Sequence, residues 1–254
     1  MQLRIHYLPQ FVSEAELAGR TVVVVDLLRA STTICQALAA GAECVVPFVE
    51  VDATRRAAAG LDRSRTLLGG ERGGELIEGF DLSNSPAEYT PDAAFGKRVL
   101  FTTTNGTRAL EHARLASRVI VGAAVNRQAV CEAVAGDAEV DILCAGTGGV
   151  VGRDDVLAAG AIAHLLLHEF PTQPPRSTNE WADKALREWA ELVTAARASG
   201  RSEAEQFADE LTRTKHGRTL LDLDLGDDLP RCANLDSLAV VPVQDRRTGE
   251  IRLA

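Results

Sequence analysis

The chain has no CxxC pair among its five cysteines and carries fewer cations than acids. No apolar run approaches the roughly eighteen residues of a membrane span, so no membrane partner is expected. Cys35, Cys44, Cys131, Cys144 and Cys232 are odd in number, and most sit in apolar stretches such as Cys44-Val45-Val46 and Ile142-Leu143-Cys144. That pattern belongs to reduced core thiols and argues against disulfides or a zinc site. The start, Met1 to His6, lacks the apolar core of a signal peptide, so a cytoplasmic location is expected. With 27 Lys+Arg against 36 Asp+Glu, the net charge of −9 argues against a nucleic-acid partner. An acidic ligand would need cations concentrated locally. No GxxxxGK[ST] phosphate loop is present, and no internal repeat or low-complexity tract is visible.

What is there fits a soluble globular protein: 254 residues, 46% of them apolar and 25% charged. Thr21-Val22-Val23-Val24-Val25 is a continuous β-branched run and predicts a strand buried on both faces. Ser31 or Thr32 then caps a predicted helix that Gly41 stops. The alternation continues through strands at 44–49, 98–103, 119–121 and 140–144, each followed by a helical stretch. It predicts an α/β protein, a three-layer α/β/α sandwich around a mixed, largely parallel sheet, with residues 1–254 forming one domain. Residues 69–91, rich in Gly, Asn, Ser and Pro, read as a long functional loop. Residues 171–216 read as a helical insertion, with Pro171, Pro174 and Pro175 ahead of helices over about 179–198 and 202–214. Leu238 to Val243 reads as a late strand.

Three strand ends carry polar residues that a core does not require. Asp26 follows the valines, with Arg29, Ser31 and Thr32 behind it; Thr103 to Thr107 follows Val99-Leu100-Phe101; and Cys144 to Gly149 precedes Asp154 and Asp155. Ligands of open α/β sheets bind beyond such carboxyl ends, and helix starts there favour anions. A phosphate-handling site is the natural inference, although Ser31, Thr32, Asn105 and Asp154 are also ordinary caps. A carboxylate closing an apolar strand is costly unless paired or metal-bound, and the simplest structural partner for Asp26 is Arg29. In Gly69-Gly70-Glu71-Arg72-Gly73-Gly74, glycines bracket an acid and a base, so the backbone can approach a ligand closely. Glu71 or Asp81 offers oxygen to a hard cation and Arg72 a planar fork to phosphate or carboxylate; the alternative is a solvated loop.

Together, Val-Val-Asp-Leu-Leu-Arg-Ala-Ser-Thr-Thr (24–33), Gly-Gly-Glu-Arg-Gly-Gly (69–74), Gly-Phe-Asp-Leu-Ser-Asn-Ser-Pro (79–86) and Thr-Thr-Asn-Gly-Thr-Arg-Ala (103–109) resemble the 2-phosphosulfolactate phosphatase (ComB-like) family. The likeness runs from about residue 3 to 170 and resumes near 217–220 and 241–242; Gly152 to Asp155 and 171–216 depart from it. The resemblance implies a Mg²⁺-dependent phosphatase that converts (R)-2-phospho-3-sulfolactate to (R)-3-sulfolactate on a route to coenzyme M. It also implies tolerance of other phosphorylated 2-hydroxy acids. On that basis Asp26 is expected to hold Mg²⁺ with Asp155 or Glu71, and Arg29 and Arg72 to neutralise phosphoryl oxygens. Ser31, Thr32, Asn84, Thr104, Asn105, Gly106 and Thr107 are expected to contact substrate. The chain lacks the DxDx[TV] pattern of aspartate-nucleophile phosphatases, and no CX₅R loop follows Cys144, so direct attack by water is expected. A phosphosugar isomerase or phosphotransferase, or a non-catalytic anion-binding protein, are the alternatives. A homodimer is the expected assembly for an enzyme of this size.

Overall fold

The computed structural model describes residues 1–170 and 177–254. Pro171, Pro174 and Pro175, expected at the head of the helical insertion, lie outside the described residues. The strands among the described residues are β1 (Gln2–His6), β2 (Thr21–Val25), β3 (Cys44–Pro47), β4 (Thr66–Arg72), β5 (Glu75–Leu76), β6 (Arg98–Thr102), β7 (Arg118–Val121), β8 (Glu139–Cys144), β9 (Ser177–Thr178), β10 (Pro242–Gln244) and β11 (Ile251–Leu253). The first helices are α1 (Glu14–Leu17), α2 (Ala30–Ala39), α3 (Val51–Ala58), α4 (Pro91–Ala94), α5 (Gly106–His112) and α6 (Arg127–Val134). Then come α7 (Arg153–Glu169), α8 (Glu180–Ser199), α9 (Glu203–Leu211), α10 (Lys215–Asp222) and α11 (Asp228–Cys232). None of the described helices is long and apolar enough to cross a membrane.

The strands form one mixed sheet in the order β5-β4-β6-β3-β11-β10-β7-β2-β8-β1-β9. Two parallel blocks, β4-β6-β3 and β7-β2-β8-β1-β9, are joined by the antiparallel hairpin β10–β11. This is the α/β architecture, mostly parallel and layered with helices, that the alternating pattern predicts. Every residue of β2 is buried, as its unbroken valines require between two parallel neighbours. Its end, like those of β6 and β8, opens toward one rim of the sheet. The helices expected after 179 and 202 are present, and α8 packs along α7 and over β1.

Three local expectations are corrected. Residues 69–72 are strand, not loop: β4 runs parallel to β6 and turns through Gly73 and Gly74 into β5. Close packing explains the glycines there, because a Cβ at Gly70 would collide with the Thr102 carbonyl oxygen. The following chain is tied back to β4, with Asp81 accepting from the Leu68 amide at 2.7 Å. Ser31 and Thr32 do not cap α2, whose N-cap is Arg29. Their hydroxyls turn inward, Ser31 Oγ accepting from the Asp26 amide at 2.9 Å and Thr32 Oγ1 donating to the Leu27 carbonyl at 3.0 Å. The late strand begins only at Pro242, since Leu238 already donates its amide to the Val125 carbonyl outside the sheet.

Candidate active site

A cavity of about 200 Å³ opens where the strand ends converge. From the end of β2 come Asp26, Leu28 and Arg29; from the end of β4, Glu71; and from the β4–β5 turn, Gly73 and Gly74. Asn84 reaches it from the segment that wraps the sheet edge. Thr104 and Asn105 enter from the β6–α5 turn, Thr147 and Gly148 from beyond β8, and His216 and Thr219 from α10.

Asp26 is 6% exposed, and the protein crowds it on one side. A Cβ at Gly106 would lie 2.7 Å from its Oδ2, so only glycine lets α5 start this close. Burial is the main force pushing the Asp26 carboxyl up to about 7. His216 opposes that rise, while the carboxylates of Asp154 and Glu71 add to it.

Arg29 does not pair with Asp26. Its guanidinium, 1% exposed, donates from Nη1 to Asp228 Oδ2 at 2.8 Å and from Nη2 to the Gly74 carbonyl at 2.8 Å. Glu71 ties two strand ends together, accepting from the Thr104 amide at 2.8 Å on Oε1 and the Gly74 amide at 2.8 Å on Oε2. Asn84 is buried, and its Oδ1 has no hydrogen-bond partner among the described residues. An orphaned oxygen on a cavity wall marks a place for a ligand.

Of the residues singled out from sequence, Asp26, Arg29, Glu71, Asn84, Thr104 and Asn105 are thus brought together. The others stand behind the wall. Side chains alternate along a strand, so with Glu71 facing the cavity, Arg72 faces away. It donates from Nη2 to the Val49 carbonyl and Thr102 Oγ1, each at 2.8 Å, and from Nη1 to the Glu71 carbonyl at 2.7 Å. Asp155 accepts amides from Leu27 at 2.8 Å and Gly146 at 2.9 Å, locking the ends of β2 and β8 together. Burial, then the nearby Asp154 and Asp26, raises its carboxyl well above the usual range. Ser31 and Thr32 brace the β2 end, Gly106 packs against Asp26, and Thr107 donates to the Thr103 carbonyl at 2.9 Å.

His216 and Thr219 were not among the sequence candidates, and Thr147 entered only within the Cys144–Gly149 strand end. The Nδ1 of His216 stands 3.4 Å from Thr147 Oγ1 and 3.7 Å from Asp154 Oδ2. Desolvation lowers the pKa of this imidazole, but its contacts with Asp154 and the charge of Asp26 prevail, and the net shift is upward. A lone histidine between Lys215 and Gly217 carries no spacing that would flag it. Cys144 is fully buried, and burial pushes its thiol well up, which leaves it without thiolate character.

Fold and cavity together are those of an α/β protein with its ligand site at the carboxyl ends of the strands. A family model described as 2-phosphosulpholactate phosphatase matches residues 6–247, and the chain belongs to that family of phosphoric monoester hydrolases. A relative from Symbiobacterium thermophilum, named probable 2-phosphosulfolactate phosphatase, is 41% identical over 229 residues, covering 90% of this chain and 92% of the relative. A relative of the same name from a Synechococcus species is 38% identical over 247 residues, covering 96% of each chain.

Proposed function

We propose that the chain hydrolyses 2-phospho-3-sulfolactate to 3-sulfolactate and inorganic phosphate, the reaction type used in coenzyme M biosynthesis, and accepts other phosphorylated 2-hydroxy acids. The observation that supports this most is one small cavity holding a buried carboxylate, Asp26, a fixed guanidinium, Arg29, and the orphaned oxygen of Asn84. The names of the relatives point to the same substrate.

The donor set suits magnesium. Asp26, Glu71 and Asn84 Oδ1 offer hard oxygens, and a cation is the partner that would let a carboxylate as buried as Asp26 stay ionised. Among the described residues no group of three His, Cys, Asp or Glu is arranged to hold a metal ion. Magnesium commonly takes only one or two carboxylates, with waters and substrate phosphate. When bound, it supplies positive charge to the phosphoryl oxygens.

The chain's own groups do the rest. Arg29 donates to the phosphoryl oxygens, since a guanidinium keeps donors after serving Asp228 and Gly74. Water attacks phosphorus in line with the departing oxygen of C2, and one Asp26 oxygen accepts the proton that water loses. The P–O bond to C2 breaks, and His216, held by Thr147 and Asp154, gives its proton to the leaving alkoxide.

The test is inorganic phosphate released from 2-phospho-3-sulfolactate with magnesium and no acceptor. Steady release is expected. Release only when a second alcohol is supplied would make the protein a phosphotransferase, and none under any condition would overturn the reading.

A further inference from the structure

Asp228 lies on α11, outside the cavity wall, yet it is 2% exposed and both its oxygens are used. Oδ2 accepts from Arg29 Nη1 at 2.8 Å, and Oδ1 accepts from Ser85 Oγ at 2.7 Å. These two partners border the cavity from different directions. Arg29 is itself part of the wall, and Ser85 directly follows Asn84, whose buried Oδ1 lacks a partner among the described residues. Ser85 is further anchored, its amide donating to Ser83 Oγ at 3.0 Å.

A long, flexible arginine side chain loses rotamer freedom when it is aimed at one point. Here that aim is enforced before any ligand arrives. The Gly74 carbonyl holds one terminal nitrogen at 2.8 Å and Asp228 the other, so the guanidinium plane is defined by two fixed acceptors. Asp228 is in turn kept from following Arg29 by its second bond to Ser85. Such outer partners orient the groups that touch a ligand and set how well they bind it.

We propose that Asp228 is a positioning residue for the hydrolysis: it aims Arg29 and, through Ser85, fixes the segment carrying Asn84. This rests on the reading of the cavity as a phosphatase site. On this view the late part of the chain supplies the site's support as well as His216.

The test is a double-mutant cycle with Asp228→Asn and Arg29→Ala, read as KM and kcat for the phosphorylated hydroxy acid and as the Kd of inorganic phosphate. Asp228→Asn is expected to raise KM and the phosphate Kd by about tenfold, with a smaller change in kcat. In the Arg29→Ala background the same substitution should change neither by more than about twofold, because asparagine keeps an oxygen to accept from Ser85 and loses only the one that faces Arg29. Equal losses in both backgrounds would overturn the proposal and leave Asp228 a stability residue. Should Asp228→Asn fail to fold, Ser85→Ala decides: it keeps the ion pair but frees the carboxylate. It should raise KM by about threefold at unchanged thermal midpoint, and unchanged KM would overturn the proposal. A wild-type protein that binds phosphate but releases none from any ester would fault the phosphatase reading instead, with the phosphate Kd still reporting on Asp228.

Discussion

Gly106 sits so close to Asp26 that a Cβ there would stand 2.7 Å from the carboxylate oxygen Oδ2 and 2.7 Å from the Ala30 Cβ. The start of α5 is therefore built against the side chain that closes β2. Both neighbours are short side chains, the carboxylate itself and a methyl on α2, so a Cβ there is relieved by moving Asp26.

Gly106→Ala should consequently displace Asp26 without touching any other cavity residue. We expect phosphate release to fall by about tenfold or more, the response of chemistry that depends on sub-ångström placement. The substitution should leave far-ultraviolet circular dichroism unchanged. Full turnover in this variant would mean that the position of Asp26 does not matter.

Arg29 and Arg72 were indistinguishable by composition, but the structure gives them different work. Arg29→Ala should lower kcat/KM by about a hundredfold, as losing a charge-assisted contact to a phosphoryl oxygen does. Arg72→Ala should act on stability first, because its guanidinium closes hydrogen bonds to Val49, Glu71 and Thr102. A loss of about 1–3 kcal/mol in denaturant unfolding is expected, with kcat/KM changed less than for Arg29→Ala. The reverse ranking in steady-state kinetics would contradict the geometry.

With its raised carboxyl, Asp26 would make binding of the proposed cation depend on pH. Its folded value of about 7 lies above the ordinary 3.8, so between those values the folded state holds a proton that the unfolded chain has lost. Stability from this group is full below the ordinary value and is lost as pH rises through about 7. A cation beside the ionised carboxylate restores that loss. Magnesium should therefore raise the thermal midpoint more at about pH 8 than at about pH 5.5, measured by differential scanning fluorimetry. Equal gains at both pH values would argue against Asp26 as its ligand.

Much of the frame was legible because it follows from local pattern. The unbroken valines before Asp26 are a buried central strand, and the polar residues after β2, β6 and β8 do reach one rim. Glycine content was the misleading signal. Gly69 and Gly70 read as part of a functional loop, yet they are strand residues pressed against Tyr89, Phe101 and Thr102. That reading also hid the strand alternation that separates Glu71 from Arg72. His216 and Asp228 were beyond reach for another reason. Their partners lie 69 and 199 positions away, at Thr147 and Arg29, and only the packing of α10 and α11 onto the sheet rim joins them.

The most direct test of the account is phosphate release from 2-phospho-3-sulfolactate by the wild-type protein and Asp26→Asn, side by side with magnesium. Asparagine keeps the shape of the side chain and removes its charge and its capacity to take a proton. A loss of about a hundredfold or more in kcat is expected, at an equal or higher thermal midpoint above about pH 7. Turnover within about twofold of wild type would contradict the assignment of the cavity as the catalytic site.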